Sequence, residues 1–223
     1  HAPLFTYELP GGQRASRYFK VPEGPQDLLD RNRLIETGTR VAQSVVPLVK
    51  EIGTDALFAL LIVTRQMDRQ LGTDYYPRVQ QYLERARAED LTFAVAQTDV
   101  KGDRSKRPSQ QNPDYYVRIV ERRPDGIVIR GAKAHTTNTP FADEIIVLPT
   151  RAMGEDDADF AVACAVPADA PGVRMIVSPL SPDRDSRFHH PVSSRHRLTD
   201  TLTIFDNVFV PWERVFLAGE AAF

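Results

Sequence analysis

Tyr115-Tyr116-Val117-Arg118-Ile119-Val120-Glu121, then Pro124-Asp125-Gly126, then Ile127-Val128-Ile129-Arg130-Gly131: the reading of this run decides the fold. Aromatic and β-branched residues on both sides of a Pro-Asp-Gly punctuation read as two strands joined by a tight turn. Further strands are expected at Glu144–Leu148, Phe160–Val166, Val173–Ser178 and Leu202–Val208, separated by turn chemistry such as Ala168-Asp169-Ala170-Pro171-Gly172. Many short strands with turns between them predict an antiparallel barrel or sandwich.

Upstream the period changes. Residues 26 to 90 read as helical, with Leu57, Leu60, Leu61, Thr64 and Leu71 recurring at helical spacing from a start at Gly53 or Thr54. Asp74 before Tyr75-Tyr76-Pro77 marks a second helix start. Pro3, Pro10, Gly11 and Gly12 suggest an extended, irregular arm. Helices precede strands, so the class is α+β. The expected division is a helical region over 1–90, a β domain over 91–212, and the start of a further helical part over 213–223.

Composition narrows the partners. With 223 residues, 42% of them hydrophobic and 26% charged, the chain has material for a real core. A formal charge of −2 gives no general attraction to nucleic acid or anionic membranes. The longest apolar run, Ala56 to Val63, is too short for a membrane span. Cys164 is the one cysteine, which excludes an internal disulfide and a cysteine-rich metal cluster built from this chain alone. It reads as a buried strand residue, and a cytoplasmic location is expected.

Two segments carry the chemistry: QTDVKGDRS, from Gln97 to Ser105, and GAKAHTTNTPFADE, from Gly131 to Glu144. Each joins a β-like run to a loop rich in small residues and hydroxyls. Thr98-Asp99-Val100-Lys101-Gly102-Asp103 resembles the T-E-P-x-x-G-S-D segment of the acyl-CoA dehydrogenase superfamily, and Lys133-Ala134-His135-Thr136-Thr137-Asn138 resembles its K-W-I-T-N segment. AVPADAPGV (Ala165–Val173) and LTIFDNVFVPWERVFLAGE (Leu202–Glu220) are similar to later strands of that superfamily. The four matches fall in order. Within the superfamily the chain looks most like the branch holding 4-hydroxyphenylacetate 3-monooxygenase and 4-hydroxybutyryl-CoA dehydratase.

That resemblance implies FAD, used as FADH2 from a separate flavin reductase. An isoalloxazine needs backbone amides and short hydroxyls at its polar edge. By the resemblance Thr137 hydrogen-bonds near flavin N5, Thr98 serves the pyrimidine side, and Gly102 admits the backbone closely. Asp103 and Thr136 complete the cofactor-contacting set. His135 takes the place of a tryptophan beside the ring; it is either a structural residue or a proton carrier, for which histidine is the suited type. Arg104 or Lys101 would balance flavin or substrate charge. The implied activity is O2-dependent hydroxylation of an aromatic or other electron-rich molecule in a pocket closed to water, in a homo-oligomer (dimer or tetramer).

Departures from the branch leave alternatives open. In PLVKEIGTDAL, Pro47 and Glu51 stand where the dehydratases carry two cluster thiolates, and Ile52 and Ala56 where the monooxygenases carry a phenol-binding arginine and tyrosine. HHPVSSRH (His189–His196) resembles the hydroxylases' H-P-x-S-S-R. The rivals are a redox-neutral CoA-ester dehydratase or isomerase without the iron–sulfur cluster, and a noncatalytic remnant or partner subunit lacking the family's C-terminal helices. Thr150–Asp159 suits either an exposed lid or a solvated turn, and Asp183–Arg187 with Arg195 and Arg197 reads as a solvated charge cluster.

Overall fold

The computed structural model describes residues 2–43, 48–178, 188–191, 198–221 and 223. Pro47, the charge cluster Asp183–Arg187 with Arg195 and Arg197, and the 192–196 part of the H-P-x-S-S-R match lie outside them.

The chain opens with a short helix α1 (Ala2–Phe5) and a hairpin of β1 (Thr6–Glu8) and β2 (Arg14–Ser16). The expected irregular arm is therefore ordered as a hairpin. Gly11 and Gly12 supply the positive φ its loop needs, and Leu9 N–H donates to the Gln13 carbonyl at 2.7 Å. Three helices follow: α2 (Pro25–Val41), α3 (Leu48–Leu71) and α4 (Tyr75–Ala88).

α3 begins at Leu48, five residues before the expected Gly53. Gly53 is inside the helix because α3 lies hard on β3 (Phe93–Ala96): a β-carbon there would sit 2.1 Å from Cβ of Phe93. α4 starts where expected, after Asp74, but the Asp74 side chain does not cap it. Asp68 of α3 does so instead, accepting from the N–H groups of Tyr75 (2.9 Å) and Tyr76 (2.8 Å).

The strands β4 (Arg118–Arg123), β5 (Gly126–Thr137), β6 (Glu144–Val147), β7 (Val162–Pro167), β8 (Val173–Val177), β9 (Asp200–Pro211) and β10 (Val215–Ala218) complete the fold. Together with β3 they form two four-stranded sheets, β10-β7-β6-β3 and β4-β5-β9-β8. Among the described residues neither sheet closes, so the barrel expectation is corrected to two open sheets. The second sheet is antiparallel throughout, whereas β3 joins β6 in parallel, with Phe93 opposite Glu144.

One core runs through the helices and both sheets, drawing on Leu57, Val79, Phe93, Ile145, Cys164, Ile129 and Phe205. β6 and β7 lie between the helices and the other sheet, so both faces are covered and their sequences, EIIV and VACAVP, are almost continuously apolar. β9 has one outward face and alternates accordingly. Glu144 is buried and ties the layers, accepting from Arg85 of α4 at 2.7 Å and Arg214 at 2.6 Å. No helix among the described residues is long and apolar enough to cross a membrane.

Candidate functional site

The two segments singled out in the sequence meet at an ion pair. Lys133 of β5 and Asp99, just after β3, face each other across an isolated antiparallel bridge. The Lys133 ammonium lies 2.7 Å from Asp99 Oδ1 and donates to the carbonyls of Leu148 (2.8 Å) and Gln97 (3.0 Å). Its three protons are thus matched to three acceptors. Asp99 in turn accepts from the Val117 N–H at 3.2 Å, and its own N–H donates to Thr150 Oγ1 at 2.9 Å. The Asp99 and Lys133 side chains are 1% and 2% exposed. Next to the pair, the Ala134 N–H donates to the Thr98 carbonyl at 2.7 Å, so the clamp fixes Thr98 beside Ala134.

Burial lowers the proton affinity of Lys133, and the Asp99 carboxylate opposes that shift. Cys164, buried in β7, feels the same interior: burial pushes its thiol up to about 12, partly countered by Lys133. A neutral, enclosed thiol is a poor nucleophile. The folded chain is expected to leave Cys164 unmodified by a disulfide exchange reagent at pH 8, with one thiol titrating after addition of denaturant. Fast labelling of the native chain would contradict this burial. The raised folded value also sets a sign: the stability it contributes is complete below the unfolded thiol's value, about 8.5, and is lost as pH climbs towards about 12.

A bulge between Lys133 and Thr136 sorts the next side chains. His135, at φ 55°, is exposed; Thr136 turns into the interior; Thr137 is half-buried. Thr136 Oγ1 has no hydrogen-bond partner among the described residues, although its carbonyl accepts from the hydroxyls of Thr139 (3.0 Å) and Thr201 (3.1 Å). Thr137 Oγ1 donates to Asp200 Oδ1 at 2.7 Å. The structure therefore sets Thr98 beside Ala134, leaves His135 exposed and Thr137 half-buried further along the strand, and turns Thr136 inward.

Gly102, Asp103 and Arg104 are positioned differently. Gly102 does adopt positive φ (54°), but the space beside it is filled: a β-carbon would lie 2.5 Å from both Gln111 Oε1 and the Tyr115 ring. Its glycine is thus explained by the turn and by internal packing. Asp103 accepts from the Ser105 hydroxyl and N–H at 2.7 and 3.0 Å, which hold its carboxyl below the usual range. Arg104 is exposed, with no acidic partner among the described residues.

Two further expectations resolve here. The Thr150–Asp159 segment is pinned by Asp157, which is buried and accepts from the Ser109 N–H (3.0 Å) and Arg107 (3.1 Å). Ile52 is exposed and Ala56 buried near the start of α3, beside Asp55, which pairs with Arg31 at 2.6 Å. Sequence reasoning missed Asp99 and Lys133 as a pair. The available signal was that each of the two matched segments carries one unlike charge.

Known proteins are similar to the chain over most of its length. A family model for the 4-hydroxyphenylacetate 3-hydroxylase N-terminal region matches residues 1–217. The 4-hydroxybutyryl-CoA dehydratase/vinylacetyl-CoA-Δ-isomerase of Clostridium aminobutyricum is 42% identical over 177 residues, which are 77% of this chain and 36% of that protein. The solved structure of an oxygen-tolerant archaeal 4-hydroxybutyryl-CoA dehydratase from N. maritimus superposes with a TM-score of 0.91 at 32% identity, covering 100% of this chain and 45% of that one. The oxygenase component of 4-hydroxyphenylacetate 3-monooxygenase, solved with FAD, gives a TM-score of 0.81 at 29% identity over 99% of this chain and 45% of the other. The chain thus spans less than half the length of these relatives. With almost its whole length inside the family model, the chain belongs to the 4-hydroxyphenylacetate 3-hydroxylase family, in its N-terminal region.

Proposed function

We propose that this chain acts in the oxygenase component of a two-component monooxygenase, which takes FADH2 from a separate flavin reductase and hydroxylates a small, electron-rich molecule with O2. The observation that carries the reading is the Asp99–Lys133 clamp, which fixes Thr98 beside the strand end bearing His135 and Thr137. In this reading residues 91–212 bear the flavin-contacting segments, and the working form is an oligomer.

The residues present suit a flavin edge. Thr98 and Thr137 offer accessible hydroxyls, and Asp200 holds the Thr137 hydroxyl in one orientation. FAD, when bound, supplies the electrons and the activation of O2. The chain's own part is to bind, orient and exclude water. Thr98 and Thr137 hydrogen-bond the polar edge, the exposed His135 imidazole exchanges a proton with the reacting partners, and the clamp keeps these groups in register. Gly102 and Asp103 shape the adjoining turn, and Arg104 adds positive charge at its rim.

The dehydratase reading has its own support in the 42% identity and the TM-score of 0.91. The donor set argues against its cluster-dependent form. Glu51 stands at a thiolate position, and the one cysteine is buried in β7 as a neutral thiol. A redox-neutral reaction without the cluster is the remaining alternative.

Titrating the isotope-labelled chain with FAD is expected to perturb the amide signals of Thr98, His135 and Thr137 first. Thr137→Val should weaken FAD binding by about tenfold, the loss of one hydrogen bond to a bound group. Signals that move only elsewhere would sink the assignment. With FADH2, 18O2 and a phenol panel, label in the product supports the hydroxylase; unlabelled isomerised or dehydrated CoA ester supports the alternative.

A further inference from the structure

On the helical side, away from the sheets, a groove of about 990 Å³ runs between α2 and α3. That volume is at the upper end of small-molecule sites. Its apolar wall includes Phe58, Leu61, Ile62 and Leu28, and Ile62 is 71% exposed. Three arginines, Arg31, Arg65 and Arg69, also line it. Arg31 is fully engaged: it bonds Asp55, Thr54 Oγ1 (2.9 Å) and the Tyr18 carbonyl (3.0 Å), and lies over the Phe58 ring. Arg65 and Arg69, one turn apart on α3, have no carboxylate partner among the described residues. The nearby Asp68 is committed to capping α4. Arg65 is held in place by stacking over Tyr76, at 5.8 Å from the ring centre.

Uncompensated guanidiniums beside an exposed apolar wall define a ligand chemistry. A purely apolar ligand leaves the cations without a counter-charge, and a purely ionic one leaves the wall in water. We propose that this groove binds a small molecule joining an anionic oxygen head group, carboxylate or phosphate, to an apolar body. Arg65 and Arg69 grip the head, and Phe58, Leu61 and Ile62 take the body. Asp55, already neutralised by Arg31, keeps the far end of the groove from competing for the anion.

The test compares octanoate, octanamide and octylammonium, which share a chain and differ in head group, by calorimetry and by amide shift mapping on the whole chain. No flavin is present, so its failure is separate from that of the hydroxylase reading. Octanoate is expected to bind at least about tenfold more tightly than octanamide, with octylammonium weakest, and to lose that advantage at high salt. Arg65→Gln/Arg69→Gln should bring octanoate to the octanamide level without changing octanamide. Ile62→Ser should weaken both. All three residues face solvent or the groove, so these variants retain the core. Equal binding of the three head groups, an unaltered double variant, or shifts mapping away from Phe58 and Ile62 would overturn the proposal. Octyl phosphate following octanoate marks a general oxyanion site; octanoate alone marks a carboxylate site, and both uphold it.

Discussion

Lys133→Met lowers the unfolding free energy by about 3–5 kcal/mol, the cost of leaving one member of a buried ion pair unpaired. In a chain of this size that corresponds to a fall in melting temperature on the order of 10 °C. Methionine fills much of the space but returns none of the three bonds that the ammonium makes to Asp99, Gln97 and Leu148. Asp99 would be left 1% exposed, with the Val117 N–H as its remaining side-chain donor. The paired replacement Lys133→Met/Asp99→Leu should recover most of the loss, since it removes both charges together. Denaturant unfolding of the two single variants and the double closes the cycle. If the single losses simply add, the two residues do not act as a pair. FAD binding should fall in Lys133→Met and return in the double variant only as far as the Thr98–Ala134 bond re-forms.

The second large effect is expected at Gly53. An alanine there gains up to about 1 kcal/mol of helix propensity, yet its β-carbon meets Phe93 Cβ at 2.1 Å and the Phe93 ring at 2.4 Å. The obstructing atom is anchored to the β3 backbone, so rotation cannot clear it. α3 must move off the sheet, and overpacking of this kind costs about 1–3 kcal/mol or more. Gly53→Ala is therefore expected to destabilise by about 1–2 kcal/mol net, or more if α3 cannot shift. Gly24→Ala is the control: nothing lies within 4 Å of its would-be side chain, and its cost should stay below about 1 kcal/mol. Equal melting temperatures for the two variants would show that α3 is not seated as closely as described.

What was legible in the sequence follows from how each element is buried. β6 and β7 are covered on both faces, and their unbroken apolar runs announced them. β9 announced itself by alternation. The helix at 48–71 was legible by period, but its start was misread because glycine resembles punctuation until the neighbour that requires it is known. The barrel expectation failed because propensity identifies strands, whereas closure depends on which edges meet; β3 pairs with β6 in parallel, an arrangement local sequence does not encode. Within the site, Thr98, His135 and Thr137 were named from the chain. The ion pair beneath them was not, because a bulge in β5 decides which of its side chains turn inward. The space over Gly102 is likewise set by Gln111 and Tyr115, which arrive from a separate turn.

The pairing of β5 with β9 has a consequence for synthesis. Gly126 lies opposite Pro211, so the hydrogen-bonding edge of β5 has no partner until roughly eighty more residues have left the ribosome, some 4–16 s at ordinary translation rates. Through that interval β4 and β5 form a lone hairpin whose free edge includes Ile127, Val128 and Ile129. Such an edge is a template for another nascent chain. Arg123 pairs with Glu121, and Arg118 and Arg130 with Asp114, so the charges around that hairpin are largely compensated within it and do little to guard the edge. The yield of folded protein should therefore fall at high expression, and recover when fewer chains are made at once without slowing each ribosome.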